Sequence, residues 1–88
     1  MYLIDGVPTD HALASDRGLA YGDGVFETIA VHDSEMLAWS AHVARLQHGC
    51  RVLGIAPPTE SVLAAECARI REGRTAAVIK IIVTRGSG

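Results

Sequence analysis

Val25-Phe26-Glu27-Thr28-Ile29-Ala30-Val31-His32 sends Val25, Glu27, Ile29 and Val31 to one side and Phe26, Thr28, Ala30 and His32 to the other, the period-two pattern of a β-strand. The first side is mostly aliphatic and suits a core. The second carries an aromatic ring, a hydroxyl and a small residue, a mixed surface that suits the wall of a pocket. Asp33-Ser34 turns the chain, and Glu35-Met36-Leu37-Ala38-Trp39 is expected to return antiparallel as the second arm of a hairpin.

Downstream the period changes. Ser40 is expected to cap a helix from Ala41 to about Leu53, in which Val43, Leu46, Cys50 and Leu53 form a stripe at three- and four-residue steps, and Gly54 ends it. After Pro57-Pro58, Thr59 caps a second helix running to about Arg71, with Glu60 in its first turn and Leu63, Cys67 and Ile70 on its buried side. Arg69 and Arg71 complement the end of that helix and Gly73 stops it. Thr75 to Thr84 is β-branched and nearly all apolar, hence a strand.

Upstream, Tyr2-Leu3-Ile4 and Val7-Pro8 flank Asp5-Gly6, a two-residue hairpin signal. Between Thr9 and Gly24 the turn signals Ser15-Asp16-Arg17-Gly18 and Gly22-Asp23-Gly24 predict mostly loop, long enough to suggest a functional role. Together these elements predict an α+β fold, a small two-layer domain with a mainly antiparallel sheet and two helices packed on it, spanning residues 1–88 as one unit. A central strand needs partners on both edges, and for the most apolar strand, Thr75–Thr84, the sequence offers few candidates. Arg85-Gly86-Ser87-Gly88 follows it as though a loop began there and was cut, so the chain is expected to be truncated.

Composition agrees with one compact domain: 88 residues, 49% hydrophobic and 20% charged. A chain of this size buries roughly 60–65% of the surface its unfolded form exposes, so the stability margin is thin. Eight Lys and Arg against ten Asp and Glu give a net charge of −2, and the cations are scattered. That excludes a basic footprint for nucleic acid. The longest apolar run, Ala76 to Val83, is interrupted by Lys80 and far short of the ~20 residues a membrane span requires. The N-terminus shows no secretory pattern, so a cytoplasmic location with reduced thiols is expected. Cys50 and Cys67 fall on apolar helix faces and read as small buried hydrophobes. No C-x-x-C pair occurs, and His11, His32, His42 and His48 lie in different settings without ligand spacing, so no metal site is expected.

Several residues could carry chemistry. Lys80, among isoleucines, shares a face with Ala76, Val78, Ile82 and Thr84, the less uniformly apolar one, which favours a lysine reaching solvent over a desolvated nucleophile. Arg45 sits one position off the helix stripe, where its paired N–H donors could fork onto a phosphate; spacing alone favours a solvated helix arginine. Gly22-Asp23-Gly24 precedes a strand, lacks a helix N-terminus and reads as a tight turn. Thr28 as an acid/base group needs a basic partner that the sequence does not clearly supply. Ser15-Asp16 with a distant histidine is no triad. These residues alone name no reaction.

Asp16-Arg17-Gly18-Leu19-Ala20-Tyr21-Gly22-Asp23-Gly24-Val25-Phe26-Glu27-Thr28 closely resembles the N-terminal signature of the fold-type IV pyridoxal-phosphate enzymes. Ser40-Ala41-His42-Val43-Ala44-Arg45-Leu46 and Lys80-Ile81-Ile82-Val83-Thr84-Arg85-Gly86-Ser87-Gly88 follow in the family's order. The resemblance covers nearly the whole chain. It implies pyridoxal 5'-phosphate as cofactor, Arg45 on its phosphate, Phe26 beside the substrate and Thr28 helping proton transfer. Thr28, where the branched-chain transaminases have glycine, and the final Arg-Gly-Ser-Gly resemble the lyase branch of the family. That branch converts 4-amino-4-deoxychorismate to 4-aminobenzoate and pyruvate, a step of folate synthesis. A branched-chain or D-amino-acid transaminase is the alternative within the family, and a free-standing, non-enzymatic interaction module the alternative outside it. The family's Schiff-base lysine lies in a larger C-terminal domain and Lys80 does not match it. The resemblance therefore implies an N-terminal domain, inactive alone, of an enzyme that is a homodimer when complete and acts on a small molecule.

Overall fold

The computed structural model describes residues 2–4, 7–9 and 24–85. In chain order it contains β1 (Tyr2–Ile4), β2 (Val7–Thr9), β3 (Gly24–His32), β4 (Glu35–Met36), α1 (Trp39–Leu53), α2 (Glu60–Ile70) and β5 (Ala77–Thr84). The loop expected across 10–23, the turn at Asp5-Gly6 and the terminal Gly86-Ser87-Gly88 lie outside the described residues.

β1 and β2 pair antiparallel, with Tyr2 opposite Thr9 and Ile4 opposite Val7, as the hairpin reading predicts. The larger sheet has the order β4-β3-β5 and is antiparallel throughout. β3 holds the middle of the described sheet, and β5 pairs with β3 alone among the described strands, the shortage of partners expected for the C-terminal strand. β3 supplies a partner for every residue of β5, from Gly24 opposite Thr84 to Val31 opposite Ala77. The return arm is shorter than expected, Glu35–Met36 alone, and Asp33 and Ser34 both take the positive φ (49° and 65°) that a two-residue hairpin turn requires.

Register also makes the two faces of the sheet unlike. Glu27, Ile29 and Val31 are buried, as is Ile79 opposite Ile29, and the helices lie over this side. On the other side Phe26 pairs with Ile82, Thr28 with Lys80 and Ala30 with Val78, and all six are exposed. A two-layer arrangement results, with both helices on one face.

The core follows from the helix stripes. Val43, Leu46 and Cys50 of α1 are buried, and so are Leu63 and Cys67 of α2. Val43, Leu46 and Leu63 form one cluster; Val31, Cys67 and Ile79 form a second; Trp39 and Ile81 pack against both. Each fully buried aliphatic side chain stabilises the fold by about 1.5–3 kcal/mol relative to leaving it in water. Both thiols behave as apolar filler, and burial pushes their pKa values up.

The helix ends depart from expectation twice: α2 ends at Ile70 with Arg71 as its C-cap, ahead of Gly73, because the Arg71 amide already closes the last turn on the Cys67 carbonyl, and α1 starts early. Thr59 caps α2 as predicted, its hydroxyl accepting from the Val62 amide at 3.3 Å. Ser40 does not cap α1. The helix begins earlier, at Trp39, with Ala38 as the capping residue in a left-handed conformation (φ 55°), because the short β4 releases the chain sooner. Gly49 is a poor helix former whose absent side chain matters here: a Cβ would lie 2.9 Å from Cγ1 of Val25, where α1 crosses β3.

Candidate active site

Glu27 is the one buried charged side chain among the described residues, at 6% exposure on the aliphatic face of β3. A carboxylate taken out of water among Val25, Ile29 and Ile81 is costly unless it is paired and hydrogen-bonded. The partners come from α1. Arg45 donates from Nε to Oε1 and Oε2, at 3.1 and 2.9 Å, and from Nη2 to Oε1 at 2.7 Å. Nδ1 of His42 lies 2.6 Å from the same Oε1. An ionised carboxylate only accepts, so His42 carries its proton on Nδ1 and donates it into this contact.

Helix geometry brings the two donors together. His42 and Arg45 are three residues apart and share a face of α1, half a stripe away from Val43 and Leu46. The Arg45 hydrogen bonds, aided by His42 and opposed by burial, hold the Glu27 carboxyl down to about 2. Reciprocally, the hydrogen bonds to Glu27 push the Arg45 pKa further up. Arg45 is a permanent cation whose side chain is 71% exposed although its Nε edge is anchored on a buried group. Its Nη1 group bonds to none of the described residues.

Phe26 and Thr28 project from the opposite face of the same strand. Lys80 stands directly across from Thr28, and its Nζ lies 4.9 Å from the centre of the Phe26 ring, a cation–π distance. Lys80 is exposed, as the solvent-directed reading of the sequence has it. The three singled-out residues are therefore not brought to one surface: Arg45 is fastened to the Glu27 side, Phe26 and Thr28 to the other, and β3 lies between them. Along Gly24 to Ile29 the edge of β3 away from β5 has no strand partner among the described residues.

Glu27 and His42 escape sequence reasoning as members of a site. The signal was present for Glu27, a charge on an otherwise aliphatic strand face, but a carboxylate there acquires meaning only when the residue that neutralises it is known. Among the described residues no group of three or more His, Cys, Asp or Glu stands together in a way that could hold a metal, and no helix is long and apolar enough to cross a membrane.

Comparison with known proteins shows what the chain is similar to. The family model for amino-transferase class IV matches residues 24–88. The aminodeoxychorismate lyase of Vibrio harveyi is 36% identical over 90 residues, an alignment covering 100% of this chain and 32% of the lyase. The crystal structure of 4-amino-4-deoxychorismate lyase from Pseudomonas aeruginosa superposes with a TM-score of 0.82 at 44% identity, covering 96% of this chain and 31% of that one. The PLP-bound form of a hypothetical aminotransferase from Mycobacterium tuberculosis gives a TM-score of 0.71 at 30% identity, over 98% of this chain and 31% of its own. The chain thus spans about a third of the length of these relatives.

Proposed function

Because the chain belongs to the amino-transferase class IV family, we propose that it is the N-terminal domain of a pyridoxal 5'-phosphate-dependent 4-amino-4-deoxychorismate lyase, which forms 4-aminobenzoate and pyruvate. The observation that carries this reading is the likeness to the Pseudomonas aeruginosa lyase, at 44% identity over nearly the whole chain, with Thr28 exposed on the central strand. The larger part of the enzyme, including the lysine that anchors the cofactor, lies on this reading in a second domain. The complete enzyme is a cytoplasmic homodimer in the same proposal.

Arg45 suits the cofactor's phosphate. It is exposed, charged at every physiological pH, and keeps an Nη1 donor group that no described residue uses. When bound, the cofactor supplies an electron sink for the bonds broken in the substrate. Phe26 offers a flat apolar wall against which a ring-bearing substrate packs. The Thr28 hydroxyl, on the same face two residues on, holds or passes a proton at its Oγ1. A ligand that touches both Arg45 and the Phe26/Thr28 face must straddle the edge of β3 that has no strand partner among the described residues, which is where this proposal puts the cofactor.

The test uses the complete enzyme carrying this domain, assayed in parallel for pyruvate release from 4-amino-4-deoxychorismate and for amino transfer to 2-oxoglutarate. Pyruvate release is expected, with Thr28→Ala lowering kcat by about 100-fold, the low end of what a positioned proton-transfer group contributes. Clean amino transfer without elimination would instead make it a transaminase of the same family.

A further inference from the structure

We propose that Glu27 is a positioning residue for Arg45: it grips the guanidinium by its Nε–Nη2 edge, so that Nη1 is turned outward as a fixed donor for an anionic oxygen. The inference rests on the reading of Arg45 as the phosphate-binding residue and adds what makes that residue competent.

The geometry carries the argument. A guanidinium is planar, so three contacts of 2.7 to 3.1 Å to one carboxylate fix the direction of the remaining amino group as well. The carboxylate is itself immobile. It is buried on the central strand, beside Ile29 at 0% exposure, and His42 takes a further position on Oε1, which prevents the carboxyl from rotating away from Arg45. An exposed arginine without such a grip samples many rotamers and must be ordered by its ligand at the ligand's expense. Glu27 also offsets much of the Arg45 charge. What Arg45 offers an anion is therefore mainly a directed N–H group, with attraction from a free positive charge secondary. Lysine in its place would present no second edge.

Nitrogen-15 NMR of the complete enzyme carrying this domain tests this on the Arg45 Nε–H, assigned by its disappearance in Arg45→Lys. In the wild type that signal is expected to be resolved and to exchange with water at least about tenfold more slowly than that of exposed Arg51. In Glu27→Gln it should move to the position and exchange rate of Arg51. Inorganic phosphate, used as the probe, should perturb the Arg45 amino signals while leaving Nε–H in place. Three results would overturn the proposal: a wild-type Nε–H that exchanges like Arg51, one unchanged by Glu27→Gln, or one that phosphate displaces, since phosphate would then be taking the edge assigned to Glu27. The wild-type exchange rate decides the matter even if Glu27→Gln fails to fold. If phosphate shifts no arginine signal, the phosphate reading falls, and the Nε–H result still decides the positioning independently.

Discussion

Glu27 is a carboxylate buried on the aliphatic face of β3, and its charge is met by His42 and Arg45 of α1. Its place in the alternation Val25, Glu27, Ile29, Val31 marks it as a charge on a buried face, whereas Arg45 was singled out on chemistry that spacing alone left open. The structure joins the two, and the consequence is a pH dependence of definite sign. Glu27 is held at about 2 in the folded chain against an ordinary value of 4.5, so the unfolded chain takes up its proton first as the solution is acidified. The stabilisation it provides is complete above about pH 4.5 and is lost as the pH falls toward 2. Urea denaturation of wild type and Glu27→Gln should show a gap of about 1.5–3 kcal/mol at pH 7, the range for hydrogen bonds to a charged group. The gap should close between pH 4.5 and 2; a gap that stays constant to pH 2 contradicts the pairing.

At the scale of elements, what is local was legible and what is not local was missed. The α2 N-cap is written in Thr59, whose hydroxyl reaches the Val62 amide within the same turn. Replacing it by alanine should cost about 1 kcal/mol in thermal or urea unfolding, whereas Ser40→Ala should cost less, because Ser40 lies inside α1 and caps nothing. No sequence rule places the start of α1 at Trp39 with a left-handed alanine before it; that start is set by where β4 lets go of β3 and by the docking of Trp39 between the two core clusters. Gly49 is similar. Within α1 it reads as a weak point, and only the approach of Val25 from the sheet explains why a side chain is unwelcome there.

Across the molecule, the decisive feature among the described residues is a three-stranded sheet with both helices on one side and an exposed face on the other. Adjacent residues of β5 should therefore respond very differently. Ile79→Ala, at a buried position, should destabilise by about 2–5 kcal/mol, while Val78→Thr, at 70% exposure, should stay within about 0.5 kcal/mol of wild type; equal costs would mean that the open face is covered in solution. Strand alternation, helix stripes, the Asp33-Ser34 turn, the α+β class and the family are legible in the amino-acid sequence alone, because periodicity, turn chemistry and a motif are all local in the chain. The fold alone joins Glu27, His42 and Arg45 in one cluster and sets β3 between that cluster and Phe26 and Thr28. Those outcomes depend on which strand finds a partner and on which helix face meets which carboxylate, and both are settled by contacts between residues 15 and more positions apart.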